Sequence, residues 1–364
     1  MSNWSARAVA EITADFQRSA DTHMMRIDIP GAPGIPIYLK DESTHPSGSL
    51  KHRLARSLFL YGLCNGWIHE HSTIIEASSG STAVSEAYFA KLLGLRFIAV
   101  MPRNTSAQKI KQIEFYGGKC HFVPDASRIR EESLQLAEQT GGHFMDQFTF
   151  AERATDWRGN NNIAESLFRQ LDLEPNPCPR WIVVGAGTGG TSATIGRYIR
   201  YFQLETQLCV VDPSHSVFYD YFRLRDPGVA SIEGSRIEGI GRPRVEPSFV
   251  PTVIDRMTKV EDCWSIAAMV YLERVLGRRY GASTGTNFMG VIELAAEMVA
   301  SGDTGPIVTL LCDSGERYVS SYFDADWRQS CGLELQDEVE KIDLFFQTGA
   351  WTSVCQSCLR DSNS

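Results

Sequence analysis

Short apolar runs alternate with helical stretches along this chain. Ile74–Ile75, Phe97–Val100 and His121–Val123 read as short strands, as do Trp181–Val184, Leu208–Val211 and Ile307–Leu311. Polar or glycine-rich turns and helical patterns follow them. WIVV, LCVV and PIVTLL read as continuous runs, the pattern of strands buried on both faces. The strand–helix repetition predicts an α/β fold, with mostly parallel sheets covered by helices. A proline-rich break, EPNPCPR at 174–180, reads as a loop entering a strand. After Trp327 the pattern weakens, so residues 328–364 are expected to be an appended tail with one helix around Leu335–Phe346.

Composition narrows the function classes. The 364 residues suggest two domains at about 100–200 residues each. A net charge of −9 argues against a general nucleic-acid binder. No run reaches the length of a membrane helix, and no basic-then-apolar leader opens the chain. The cysteine number, nine, is odd, and the residues are scattered, which argues against a disulfide framework and for a reducing cytoplasm. Cys355 and Cys358 spell C-x-x-C, but no further ligands follow in the tail, so free thiols are expected there rather than a metal site.

Three segments carry candidate chemistry. In HPSGSLKHR, Pro46 and Gly48 force a turn, Ser49 stands where an N-cap belongs, and Lys51 enters the first turn of a helix. Helix dipole and burial both favour a neutral amine, which an imine-forming lysine needs. In EASSGST, a strand runs into small residues and then a helix, a loop suited to an anion. In GAGTGGT, residues 185–191, glycines open backbone amides to a phosphate. That loop is ambiguous: Gly185, Gly187 and Gly190 also satisfy G-x-G-x-x-G, and Asp212 stands about where a dinucleotide fold places its ribose acid. A nicotinamide-dependent dehydrogenase therefore competes.

Taken in order, HPSGSLKHR, EASSGST, GAGTGGT, GASTG at 281–285 and DSGERY at 313–318 resemble motifs of the cysteine synthase and cystathionine β-synthase family, enzymes of fold type II that use pyridoxal phosphate. The resemblance spans residues from about 40 to about 320 and is nearest to bacterial cysteine desulfhydrase-like members. It implies two open, twisted, mostly parallel sheets with helices on both faces, similar to the tryptophan synthase β chain. Residues 1–51 and 155–327 would form the large cofactor domain, and 52–154 a small movable one.

The resemblance also implies roles. Lys51 would carry the cofactor as a Schiff base and act as the catalytic base. Ser78, Ser79, Gly80, Thr82 and Gln147 would grip the substrate carboxylate, with Gly239 nearby. Gly187, Thr188, Gly189, Gly190 and Thr191 would hold the phosphate, Ser81 would face the ring oxygen, and Ser314 the pyridine nitrogen, with Asp313 as the alternative. The chain departs from the family pattern at His45 and His52, which replace asparagine and aspartate, and at Ser81, which replaces asparagine. The expected activity is β-elimination on L-cysteine giving hydrogen sulfide, pyruvate and ammonia, by a homodimer acting on a small amino acid. The alternatives are a cysteine synthase using O-acetylserine and a non-catalytic family member.

Overall fold

In the computed structural model, residues 2–352 are described; Cys355 and Cys358 lie outside them. The strands in chain order are β1 (Met24–Ile27), β2 (Ile37–Asp41), β3 (Thr73–Glu76), β4 (Arg96–Pro102), β5 (Lys119–Val123), β6 (His143–Phe144), β7 (Trp181–Gly185), β8 (Gln207–Pro213), β9 (Arg256–Val260) and β10 (Ile307–Leu311). They form two sheets, and the chain separates into two compact units. The first comprises Met1–Asp21 and His45–Asp156; the second comprises Thr22–Thr44 and the chain from Trp157 onward. The Asn3–Gln17 helix and Lys51 thus fall in the first unit, outside the 52–154 limits expected from sequence.

The first unit holds a four-stranded sheet in the order β5-β4-β3-β6, parallel throughout. Its core joins Ile74, Phe97, Ala99 and Met101 of the strands to Leu58, Phe59, Val84 and Phe89 of two helices, Lys51–Cys64 and Ser81–Leu92. Ala8 and Ile12 of the N-terminal helix join the same core.

The second unit holds a six-stranded sheet in the order β1-β2-β10-β7-β8-β9. Only β1, at one edge, runs antiparallel to its neighbour. β10 is apolar and buried along its length, β7 and β8 are buried in their middles, and the Ala282–Ser301 helix lays Phe288, Val291 and Ile292 against Val183 and Val211. A charged side chain is also buried here: Lys40 of β2 is inaccessible, and its Nζ donates to the Thr22 carbonyl at 2.8 Å and to Gln170 Oε1 at 2.6 Å.

The tail differs from the appended segment expected. A helix over Gln336–Thr348 buries Val339, Ile342, Phe345 and Phe346 in the core of the second unit. These positions share one helical face, and Phe346 packs on Tyr271 and Phe288. Phe345→Ala should therefore cost about 3–5 kcal/mol, the range for an emptied aromatic core site, where a surface appendage would lose under about 0.5 kcal/mol. Urea denaturation of the variant against the parent reads the difference.

Candidate active site

Parallel pairing decides where the motif residues go. In the first unit β3 and β6 are parallel neighbours, so the loops after them leave along the same edge. Ala77–Gly80 follows β3, and Gln147 begins a helix just after β6. The two meet: Thr82 Oγ1 donates to Gln147 Oε1 at 2.8 Å. The helix from Ser81 starts without a side-chain cap, which leaves its first amides facing outward from Gly80. Ser78, Ser79, Gly80 and Ser81 are half-buried, and Thr82 and Gln147 are buried.

Lys51 is the first residue of its helix and is half-buried. The turn before it forms as its sequence predicts: Gly48 takes a φ of 74°, and its N–H reaches the His45 carbonyl at 2.7 Å. Ser49 Oγ accepts the Lys51 N–H at 3.2 Å, so it serves the helix start one residue earlier than the regular helix begins.

The positions that depart from the family pattern are tied together. His45 stacks on His52, with ring centroids 4.9 Å apart. His52 Nδ1 lies 3.1 Å from Ser47 Oγ, which lies 2.8 Å from Ser85 Oγ. Ser85 Oγ in turn donates to the Ser81 carbonyl at 2.8 Å. A chain of hydroxyls thus runs from one replaced residue, His52, to another, Ser81. Ser47 and Ser85 carried no motif signal, and only their contacts reveal them.

Two carboxyls lie beneath the serine loop. Glu76, the last residue of β3, is fully buried; Oε1 accepts the Ala77 N–H at 2.7 Å and Oε2 the Gln147 N–H at 3.2 Å. Glu86 is equally buried, and the two carboxyls act on each other. Burial pushes both carboxyls above the ordinary range; the Glu76 charge pushes Glu86 up further, whereas Glu86 eases the ionisation of Glu76.

In the second unit, β7 and β10 are parallel neighbours, so the glycine loop and the DSGERY turn emerge at one sheet edge. Gly189 has a φ of 85° and stands at the start of the Gly190–Tyr201 helix, which has no side-chain N-cap. A side chain at Gly189 would lie 2.7 Å from Phe249 Cα, and one at Gly187 would overlap the Gly239 carbonyl oxygen. The Gly239–Gly241 turn is bound to this loop, because the Gly241 N–H reaches the Ala186 carbonyl at 2.8 Å. Beside it Asn287 Oδ1 is buried with no donor among the described residues, an acceptor that water or a ligand would satisfy. Close-packed glycines and an uncapped helix start fit an anionic phosphate group.

The dinucleotide reading fares worse on geometry. Asp212 is inaccessible, accepts the Tyr219 N–H at 2.8 Å, and has its carboxyl pushed up by burial to about 7. A ribose cannot reach it without opening the strand end.

At the other turn, Tyr318 donates to Asp313 Oδ2 at 2.7 Å, and Arg317 lies 3.8 Å from the same oxygen. Asp313 is thus engaged within its own turn, whereas Ser314 is half-buried with only a 3.5 Å contact from the Glu316 N–H to its hydroxyl. Arg242 and Arg244 both bind Glu246 Oε1, at 2.7 and 3.3 Å, so a buried carboxylate offsets much of their charge beside the Gly239 turn.

A family model described as pyridoxal-phosphate dependent enzyme matches residues 19–313. L-cysteine desulfhydrase Cds1 of Mycobacterium tuberculosis is 58% identical over 354 residues, 96% of each chain. A putative cysteine synthase of Sinorhizobium fredii is 29% identical, covering 86% of this chain and 91% of its own. Among solved structures, the O-acetylserine dependent cystathionine beta-synthase of Helicobacter pylori superposes with a TM-score of 0.71 at 25% identity, over 82% of this chain and 94% of that one. If the glycine loop holds the cofactor phosphate, Gly187→Ala should weaken pyridoxal-phosphate affinity about tenfold or more, because its methyl group displaces the Gly239 turn. Titration of cofactor-stripped protein, followed by the cofactor's absorbance, measures it. With the family model spanning all ten strands and the lysine, serine and glycine loops, the chain belongs to the pyridoxal-phosphate dependent enzyme family.

Proposed function

We propose that this enzyme breaks down L-cysteine, converting it with one water to hydrogen sulfide, pyruvate and ammonia. Likeness over nearly the whole chain to the mycobacterial desulfhydrase carries this reading, at about twice the identity of the cysteine synthase relative. Bound pyridoxal phosphate supplies an electron sink for negative charge developing at the substrate Cα.

The chain's own residues supply the rest. Lys51 would hold the cofactor through its Nζ, and its amine would serve as the base that removes the substrate's Cα proton. Ser78, Ser79, Gly80, Thr82 and Gln147 orient the substrate through its carboxylate, with Gly239 flanking it. Gly187 to Thr191 hold the phosphate. Ser81 would face the ring oxygen. Ser314 would hold the pyridine nitrogen with a neutral hydroxyl, a partner that favours β-elimination over transamination. The engagement of Asp313 by Tyr318 supports Ser314 in that role.

We also infer a cytoplasmic homodimer. The seven described cysteines are all free, and no helix among the described residues is long and apolar enough to cross a membrane.

Lys51→Ala should abolish both catalysis and the borohydride-trapped cofactor adduct. Mass spectrometry of the reduced parent should locate the adduct on Lys51; an adduct on another lysine overturns the assignment, and the buried, doubly bonded Lys40 is the least accessible candidate. The reaction itself is decided on one preparation. Sulfide and pyruvate released from L-cysteine should exceed cysteine made from O-acetylserine and sulfide. A synthesis kcat/KM greater by about tenfold, or about 1.4 kcal/mol of transition-state stabilisation, would make the enzyme a cysteine synthase.

A further inference from the structure

Glu86 lies inside a helix whose surroundings are apolar, between Ser85 and Ala87, and is inaccessible to solvent. Neither of its oxygens accepts an N–H or hydroxyl donor among the described residues. The group that acts on it is the Glu76 carboxyl, and two carboxyls can join by a hydrogen bond only through a proton. The partners of Glu76 say where that proton sits. Two backbone N–H groups, of Ala77 and Gln147, point at the Glu76 oxygens and favour its ionised form. Glu86 has no such donors and is pushed well above its ordinary range, so of the two it holds its proton to the higher pH.

The arrangement has a positional consequence. Glu76 holds the first residue after β3 and the first residue of the Gln147–Ala154 helix with one carboxylate. It thereby fixes the serine loop relative to Gln147, whose side chain is bound by Thr82. We propose that Glu86 is a positioning residue: its carboxylic acid shares a proton with Glu76, and that proton keeps the substrate-carboxylate loop and Gln147 in register. The proposal rests on the reading that Ser78–Thr82 and Gln147 hold the substrate carboxylate.

The charged surroundings set the direction of the pH effect. Asp146, paired with Arg130 at 2.8 Å, adds negative potential at Glu76. From the Lys51–Cys64 helix, His52 packs against Tyr88 and Phe89 of the same helix that carries Glu86. Glu76 is the charge that acts on Glu86. When the shared proton leaves, two buried carboxylates repel, and Glu76 is pushed from the amides it holds. The folded pair keeps a proton that the unfolded chain releases above its ordinary value of 4.5, so stability declines as pH rises from there until the folded pair lets go.

The test uses Glu86→Gln, which retains a donor for Glu76 and has no proton to lose. The holoenzyme should show infrared carbonyl absorption of protonated carboxylic acids at neutral pH, and Glu86→Gln should remove one component of it beside that of Asp212. For L-cysteine, the ratio of variant to parent kcat/KM should rise by about threefold or more between about pH 7 and about pH 9. Dividing by the parent cancels titration of the substrate. A flat ratio, or carbonyl absorption unchanged in the variant, overturns the proposal. Should the variant fail to fold, absence of that absorption from the parent is enough to overturn it. Thr82→Ala separates the two levels. If it leaves KM unchanged, the carboxylate-loop reading fails and the proposal falls with it. If it raises KM while the ratio stays flat, the proposal alone fails.

Discussion

Parallel strand pairing is the constraint on which each candidate site depends. A parallel ladder brings the carboxyl ends of its strands to one edge, so whatever follows β3 must emerge beside whatever follows β6, and likewise for β7 and β10. Residues far apart in sequence become neighbours without any long-range side-chain interaction to draw them in. Thr82 and Gln147 are 65 positions apart, yet one hydrogen bond joins them. The uncapped helix starts at Gly80 and Gly189 then supply oriented amides at those same edges.

Given that constraint, packing determines how firmly the loops are held. The glycine loop lies too close to Gly239 and Phe249 for side chains, so its backbone is fixed by contact on the side away from the helix. The serine loop is fixed differently, by polar groups beneath it. A buried carboxylate is costly unless it is hydrogen-bonded, and Glu76 meets that condition by binding two backbone amides that belong to different elements. An apolar residue at position 76 would fill the space but would leave both amides without a partner.

Legibility in the sequence followed the physics of each element. The six apolar runs read as strands all lie within observed strands; burial on both faces leaves a continuous apolar pattern in most of them, whereas His121–Val123 belongs to the partly exposed edge strand β5. The strands that were not read lacked that pattern. β2 carries Lys40 and Asp41, charges that mark a surface segment until the Thr22 carbonyl and Gln170 are seen to satisfy the lysine. β9 interleaves Arg256 and Lys259 at a sheet edge, β1 is the opposite edge, and β6 is two residues long. The tail helix was visible as a stripe, but a stripe does not say what it packs against. At the site, motif residues could be named from local pattern, whereas Glu86, Ser85 and Asn287 could not. A glutamate within a helix reads as solvent-facing, and only the fold reveals that Glu76 is its neighbour.

The departures from the family pattern now have a shared physical logic. Taken singly, histidine for asparagine at 45, histidine for aspartate at 52 and serine for asparagine at 81 are unrelated changes. In the structure they form one connected set: ring stacking joins the histidines, and two serine hydroxyls connect His52 to the backbone of Ser81. Residues in one hydrogen-bond network do not contribute independently, so the effect of each replacement depends on the others being present. Glu86 lies next to Ser85 on the same helix, which places the carboxyl pair and the hydroxyl chain on adjoining positions behind a single loop. What distinguishes this enzyme's serine loop is therefore its support. Asparagine restored at position 81 alone would enter surroundings already adapted to serine, and its backbone carbonyl would still be held by Ser85.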